Sequence, residues 1–221
     1  MKLSIGIMVK NEAEHFEECL QSLEPIREAI DSELIIVDTG SDDGTVKIAK
    51  QFTDKVYFHE WNDHFAEMRN IVIDYSKGEW FFTIDGDQVV ENPETIIDFF
   101  QSAVSDNYNT AFVNIKHLID VEETDTRFSL MPAPRLFKND SDFHYTGAVH
   151  NQPVFKGLIK KLDTIIKHYG FINDDDELME EKFQRTSNLL KKELEKNPKN
   201  EYYWYQLANS YAMHGDHQQA L

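Results

Sequence analysis

The sequence predicts an α/β protein, with a mixed, mostly parallel sheet flanked by helices and an α-helical segment at the C-terminus. Three observations predict it. Short apolar runs alternate with amphipathic stretches through the first ninety or so residues. Those runs are apolar at consecutive positions, as strands covered on both faces must be. Beyond the acidic run Asn173-Asp174-Asp175-Asp176 the pattern becomes wholly helical.

The elements follow in order. Leu3 to Val9 is apolar and rich in β-branched residues, and it stops at Lys10-Asn11-Glu12. Phe16, Cys19, Leu20 and Leu23 recur at helical spacing, and Pro25 is expected to end that helix. Leu34 to Val37 is a second strand that runs into the turn residues Asp38 to Gly44. A helix through Val46, Ala49 and Phe52 follows, then a third strand, Val56 to His59. Phe65, Met68, Val72 and Tyr75 line one face of the next helix, and Trp80 to Ile84 is a fourth strand ending at Asp85. After Pro93 a helix near Glu94 to Ser102 leads to a strand at Thr110 to Leu118. Short β segments are expected at Arg135 to Lys138, Ala148 to Phe155 and Ile159 to Tyr169. Leu178 to Glu195 and Glu201 onward read as helices separated by Asn197-Pro198. The expected division is residues 1–172 for the sheet domain and 173–221 for the helical segment. Within the latter, Trp204, Leu207, Ala208, Tyr211, Gly215 and Ala220 fall at the spacing of a tetratricopeptide repeat. They cover the first half of one such repeat, so the array reads as truncated. An ordinary amphipathic hairpin is the plain alternative.

Composition narrows the function. Apolar residues make up 41% of the 221, enough for a real core. With 22 basic against 40 acidic residues the net charge is −18, which repels nucleic acid and anionic membranes. A phosphate-bearing ligand would need a local cation or a single Arg or Lys. Cys19 is the one cysteine, so no intrachain disulfide can form. With no signal-like start and no apolar stretch of membrane-spanning length, the expected location is the cytoplasm.

In open sheets of this kind ligands bind beyond the carboxyl ends of the strands. Asp85-Gly86-Asp87 stands at one such end. Two carboxylates one residue apart can share a divalent cation, Mn²⁺ or Mg²⁺, and Gly86 permits close approach. An Asp-Gly turn in solvent is the bland reading, weakened by the buried run before it. Asp38 can accept hydrogen bonds from a ribose or base, or form an Asx turn, with Ser41 or Asp42 capping the next helix. Arg69 can clamp a phosphate, or pair with Glu67 or Asp63 at the surface. His150 can be a third metal ligand or a base, although a lone His is more often structural. His144 and His168 share that ambiguity.

Together these features resemble one family. The blocks Ile7 to Glu12, Ile35 to Thr45, Phe65 to Asn70 and Ile84 to Asp87 are similar in order and spacing to family-2 glycosyltransferases. Arg135 to Lys138, Gly147 to His150, His168-Tyr169-Gly170 and the helical tail resemble a subgroup that includes bacterial peptide S-glycosyltransferases. The resemblance implies a GT-A fold, a UDP-sugar donor, a peptide (Cys or Ser) or glycan acceptor, and inversion at the anomeric carbon. It implies nucleotide-sugar contacts from Val9, Lys10, Glu12, Asp38, Arg69, Asp85 and Gly86. It puts the metal on Asp87; the residues themselves add His150 as a further metal ligand or as the base, so that the chemistry rests on His150 and Asp87. The tail would hold a peptide or partner, or form a homodimer.

Three positions depart from the family pattern. Lys10 stands where many relatives have Tyr, Thr39 where many have Asp, and Asn151 where close relatives often have Glu. The last removes a carboxylate base and leaves His150 as the candidate. Two other classes are weighed. A nucleotidyltransferase would need a Gly- and Arg/Lys-rich phosphate loop, which Ile5 to Lys10 lacks. A non-catalytic scaffold would fit Asn151 but not the intact Asp85 and Asp87.

Overall fold

The computed structural model describes residues 1–102, 104–121, 126–170 and 176–220. The expected boundary between residues 172 and 173 lies outside the described residues.

Ten strands and six α-helices are seen among the described residues: β1 (Leu3–Val9), α1 (Phe16–Ala29), β2 (Ser32–Asp38), α2 (Thr45–Phe52), β3 (Val56–Phe58), α3 (Phe65–Asp74), β4 (Trp80–Thr83), β5 (Gln88–Val90), α4 (Glu94–Gln101), β6 (Thr110–Val121), β7 (Thr126–Lys138), β8 (His144–Thr146), β9 (Gln152–Val154), β10 (Ile159–His168), α5 (Asp176–Lys196) and α6 (Glu201–His214). Eight strands form one sheet in the order β3-β2-β1-β4-β7-β6-β10-β5, while β8 and β9 pair separately. The pairings run parallel from β3 to β4 and between β6 and β10, with β7 and β5 antiparallel to their neighbours. The sheet is therefore mixed and mostly parallel, as expected.

The consecutive apolar runs have the cause inferred from sequence. Leu34, Ile36, Trp80 and Phe82 enter the core under α1, α2 and α4. Their strand neighbours Ile35, Val37 and Phe81 enter a second core under α3, with Phe143 and Tyr145 from the β8 region. A third cluster joins α5 and α6 to the sheet domain: Leu189, Leu190, Tyr203, Leu207 and Tyr211 pack around Val149, with Trp61 and Phe65 against them. Lys192 reinforces this contact through an ion pair to Asp63 at 2.7 Å.

Two expectations about elements are corrected. Pro25 lies inside α1, which continues to Ala29. The buried stripe Leu23, Ile26, Ile30 carries the packing past it. The carbonyl that Pro25 leaves unbonded is that of Gln21, an exposed residue that water can serve. Ala148 to Phe155 is not one β segment. Gly147 (φ 94°) and His150 (φ 48°) take left-handed backbone and turn the chain between β8 and β9. Phe65 N–H, at the start of α3, bonds the Ala148 carbonyl within that turn.

Two strands, β5 and β8, are not marked by the sequence pattern. β5 is three residues long and pairs with β10 at the far edge of the sheet. Only the Ile84 to Asp87 turn separates it from β4, closed by a Gln88 N–H to Asp85 C=O bond of 3.1 Å. Four strand spacings would span ~19 Å in a flat sheet, so the sheet must curl for so short a turn to reach. That curl brings the ends of β10 and β6 over Asp85-Gly86-Asp87.

Candidate active site

The carboxyl ends of β2, β1 and β4 lie side by side. Val9 pairs with Asp38 across β1 and β2, and Gly6 pairs with Thr83 across β1 and β4. Asp38, Lys10 and Asp85 therefore leave the sheet along one rim, which is where the open-sheet rule places a ligand.

Asp85 is the most constrained of them. Arg69, reaching from α3, donates to Asp85 Oδ1 at 2.6 Å and to Thr83 Oγ1 at 3.0 Å. Arg135 donates to Asp85 Oδ2 at 3.5 Å, and the Gln88 amide donates to the same oxygen at 3.0 Å. Burial would raise the pKa of Asp85, but the Arg69 and Arg135 guanidiniums outweigh it and hold the carboxyl well below the usual carboxylate range. The surface pair weighed for Arg69 is not formed, since Asp63 pairs with Lys192 instead. The Nε atoms of Arg69 and Arg135 are buried without a partner among the described residues. Two cations face one carboxylate here, and both retain a donor.

In the sequence Arg135 is marked only by its place in the block Arg135 to Lys138. It sits where the β6–β7 pairing slips between Ala111 and Phe112, so that one β7 residue has no partner on β6. Such a bulge re-aims a side chain. Pro132 and Pro134, two prolines in one strand, are the signal that could have flagged the irregularity.

Asp87 has a different neighbourhood. Its Oδ2 lies 3.1 Å from His168 Nε2. His168 in turn lies 2.8 Å, Nδ1 to Nδ1, from His117 on β6. No hydrogen bond or ion pair joins the His150 ring to Asp87 among the described residues, so the ligand set expected from sequence is not brought together by contact. His150 stands on the turn held by α3, and desolvation by its surroundings lowers its pKa. His168, weighed from sequence beside His150, ends β10 at the same rim, so the rule used for Asp85 favours it.

Gly170 explains how closely this corner is packed. A Cβ there would run into Asp87 Oδ2 and come within 2.8 Å of His168 Nε2. Gly86 is also confined: a Cβ would stand 3.0 Å from Val9 Cγ1 and 3.1 Å from Glu12 Cγ. Glu12 thus packs over the turn between the two aspartates. Burial first, then the charges of Asp87 and Asp85, push its pKa from 4.5 up to about 8. Cys19 lies beneath, its thiol donating to the Asp85 carbonyl at 3.5 Å and pushed up in pKa by burial.

Asp38 satisfies both sequence readings in part. Its Oδ1 accepts from Gly40 N–H at 3.0 Å and Ser41 N–H at 3.1 Å, an Asx-type turn. Its Oδ2 is buried with no partner among the described residues. Neither Ser41 nor Asp42 caps α2. Asp43 accepts from Thr45 N–H, while Ser41 Oγ accepts from Asn11 N–H at 2.9 Å and ties the β1 loop to the β2 loop. Val9 is buried, its carbonyl taken by Thr39, and Lys10 is exposed at the rim.

A family model described as "Glycosyl transferase family 2" matches residues 4–165. The chain belongs to glycosyltransferase family 2. Within the family it is 26% identical over 213 residues to the SPbeta prophage-derived glycosyltransferase SunS of Bacillus subtilis, covering 90% of this chain and 46% of that protein. A TPR repeat-containing protein of Synechococcus elongatus is 27% identical over 189 residues, covering 78% of this chain and 43% of its own length. The chain thus spans about half the length of the curated relatives it matches. Among solved structures, Staphylococcus aureus TarS 1–349 matches with a TM-score of 0.54 at 17% identity, covering 96% of this chain and 72% of that one. That likeness supports the GT-A-like fold.

Proposed function

We propose that this chain transfers a hexosyl group from a UDP-sugar to an acceptor thiol or hydroxyl, on a peptide or a glycan, with inversion and with a divalent cation. The observation that carries the reading is the Asp87–His168 pair standing beside a carboxylate already neutralised by two arginines.

The side chains fit such a cation. Two oxygen or nitrogen ligands adjacent on an octahedral Mg²⁺ or Mn²⁺ stand about 3 Å apart, and Asp87 Oδ2 and His168 Nε2 are 3.1 Å apart. No group of three His, Cys, Asp or Glu that could hold a metal ion is found among the described residues, so these side chains would supply two ligands and the rest would come from elsewhere. Asp87 and His168 would hold it, in place of the Asp87–His150 set expected from sequence, and when bound it supplies charge neutralisation at the leaving diphosphate.

The chain's own groups supply the rest. Asp38 Oδ2, buried and unpartnered, is an acceptor for an N–H of the base or a ribose hydroxyl. Arg69 and Arg135 present buried N–H groups and one positive charge in excess of Asp85, which favours a diphosphate. A structure of TarS in complex with UDP-GlcNAc has the same fold, with a TM-score of 0.55, and favours uridine as the nucleoside. Single displacement fits because Asp85 is committed to two guanidiniums and Glu12 holds its proton, so neither is a free nucleophile. The acceptor sulfur or oxygen attacks the anomeric carbon as its bond to the diphosphate oxygen breaks. The acceptor proton passes to His150, which its lowered pKa keeps neutral near pH 7. The helical hairpin, whether or not it continues as tetratricopeptide repeats, buttresses that turn and offers a surface for a peptide or a second copy.

A thermal-shift panel tests the reading. UDP with Mn²⁺ should stabilise the chain, GDP and CMP should do so less, and Asp87→Ala should abolish the metal-dependent part. No response to any nucleotide would overturn it.

A further inference from the structure

The ring of His117 has no role in the reading above, yet it is placed with care. β6 and β10 run parallel with His117 and His168 in direct register, and Gln88, the residue after Asp87, pairs with His168 on the other side. Three neighbouring strands therefore fix Asp87, His168 and His117 as a line. The distances along it are 3.1 Å from Asp87 Oδ2 to His168 Nε2 and 2.8 Å from His168 Nδ1 to His117 Nδ1. The two rings meet edge to face, at 62° and 5.0 Å between centroids. With no Cβ at Gly170, the backbone closes directly over the Asp87–His168 contact.

Two ring nitrogens at hydrogen-bond distance must share a single proton, one donating and the other accepting. If His168 Nε2 is to offer its lone pair to a cation beside Asp87, the proton of the neutral ring must sit on Nδ1. His117 Nδ1 must then accept it, and the proton of His117 must sit on Nε2. The arrangement is that of a ligating histidine whose second nitrogen is held by an outer partner, which sets tautomer, ring orientation and ligand strength together.

We propose that His117 is a positioning residue for the cation: it accepts the Nδ1–H of His168 and so fixes the tautomer that turns His168 Nε2 toward Asp87. This rests on the metal reading given above. His117 reaches neither substrate nor cation in this scheme, and it acts only through His168.

The test is Mn²⁺ affinity in the presence of UDP, read from the free-ion electron paramagnetic resonance signal of the full chain and its variants. Asparagine places its side-chain oxygen where His117 has Nδ1, so His117→Asn keeps the acceptor, whereas His117→Leu removes it. His117→Leu should weaken Mn²⁺ binding on the order of 10–100-fold, and His117→Asn should stay within about threefold of the unmodified chain. Equal affinity in His117→Leu and the unmodified chain would overturn the proposal. A second readout needs no variant. In the unmodified chain loaded with Mg²⁺ and UDP, imidazole ¹⁵N shifts should show His168 protonated at Nδ1 and His117 at Nε2, and the reverse assignment would overturn it. Binding that is lost in Asp87→Asn but indifferent to His117 sinks this inference alone. An unmodified chain that binds no Mn²⁺ with UDP sinks the metal reading and this inference with it.

Discussion

Replacing Glu12 with glutamine removes a titrating group while keeping its shape, and the effect on stability should depend on pH. Burial and the charges of Asp87 and Asp85 raise the Glu12 pKa from 4.5 to about 8 in the folded chain. The folded state then holds a proton that the unfolded chain has already released. It binds more protons than the unfolded state between pH 4.5 and about 8, so this group's contribution is intact below that window and is lost as the pH rises through it. At ~1.4 kcal/mol per pH unit the accumulated cost is on the order of 5 kcal/mol. Residual solvent around a partly exposed carboxyl screens the charges, and halving the figure leaves ~2.5 kcal/mol. For a chain of this size that is ~5–10 °C in melting temperature. The assay is a series of thermal melts of the unmodified chain and Glu12→Gln from pH 4 to 9 in the presence of a chelator. The two should coincide at the acid end, and the variant should melt higher at the alkaline end. Added Mn²⁺ and UDP should narrow the gap, because a cation beside Asp87 relieves the repulsion on Glu12. A difference constant across the pH range, or a variant less stable at pH 8.5, would refute the placement of Glu12 against the two aspartates.

Three further outcomes follow from the geometry. Asp85→Asn removes the carboxylate that balances Arg69 and Arg135, and leaving two buried guanidiniums unpaired should cost ~3–5 kcal/mol in chemical denaturation; a loss below ~1 kcal/mol would show that Asp85 is not their counter-ion. Gly170→Ala drives a methyl into the Asp87–His168 contact, so calorimetry should show Mn²⁺ binding lost while far-ultraviolet circular dichroism stays unchanged. Leu190, fully buried in the cluster that seats α5 on the sheet domain, should cost ~2–5 kcal/mol when replaced by alanine. Limited proteolysis should then cut the α5–α6 hairpin before the sheet; equal protection would mean the hairpin does not depend on that contact.

Much of the fold was legible in the sequence, because the signals that carry it are local. Consecutive apolar residues at Leu34 to Val37 can only be a strand covered on both faces, and Phe65, Met68 and Val72 can only be one side of a helix. The end of each strand is likewise marked by the residue type that stops it, which is why Asp38 and Asp85 could be picked out one by one. Pro25 shows the limit of such signals. A local rule ends the helix there, but tertiary packing of Ile26 and Ile30 continues it.

What the sequence by itself determined is the family and one rim of the sheet: the carboxylates of the β4 turn, the Asp38 turn and Arg69 on its helix. What only the tertiary structure decided is who stands beside them. Arg135 reaches Asp85 through a strand bulge, and His168 reaches Asp87 because the sheet curls until β5 lies against β10. His117 completes the line through strand register. These partners lie between 50 and 81 residues from the groups they touch, at separations no periodicity reports. Sequence patterns record which face of an element is buried; the meeting of two distant polar side chains depends on sheet order and curvature, which only the folded chain fixes.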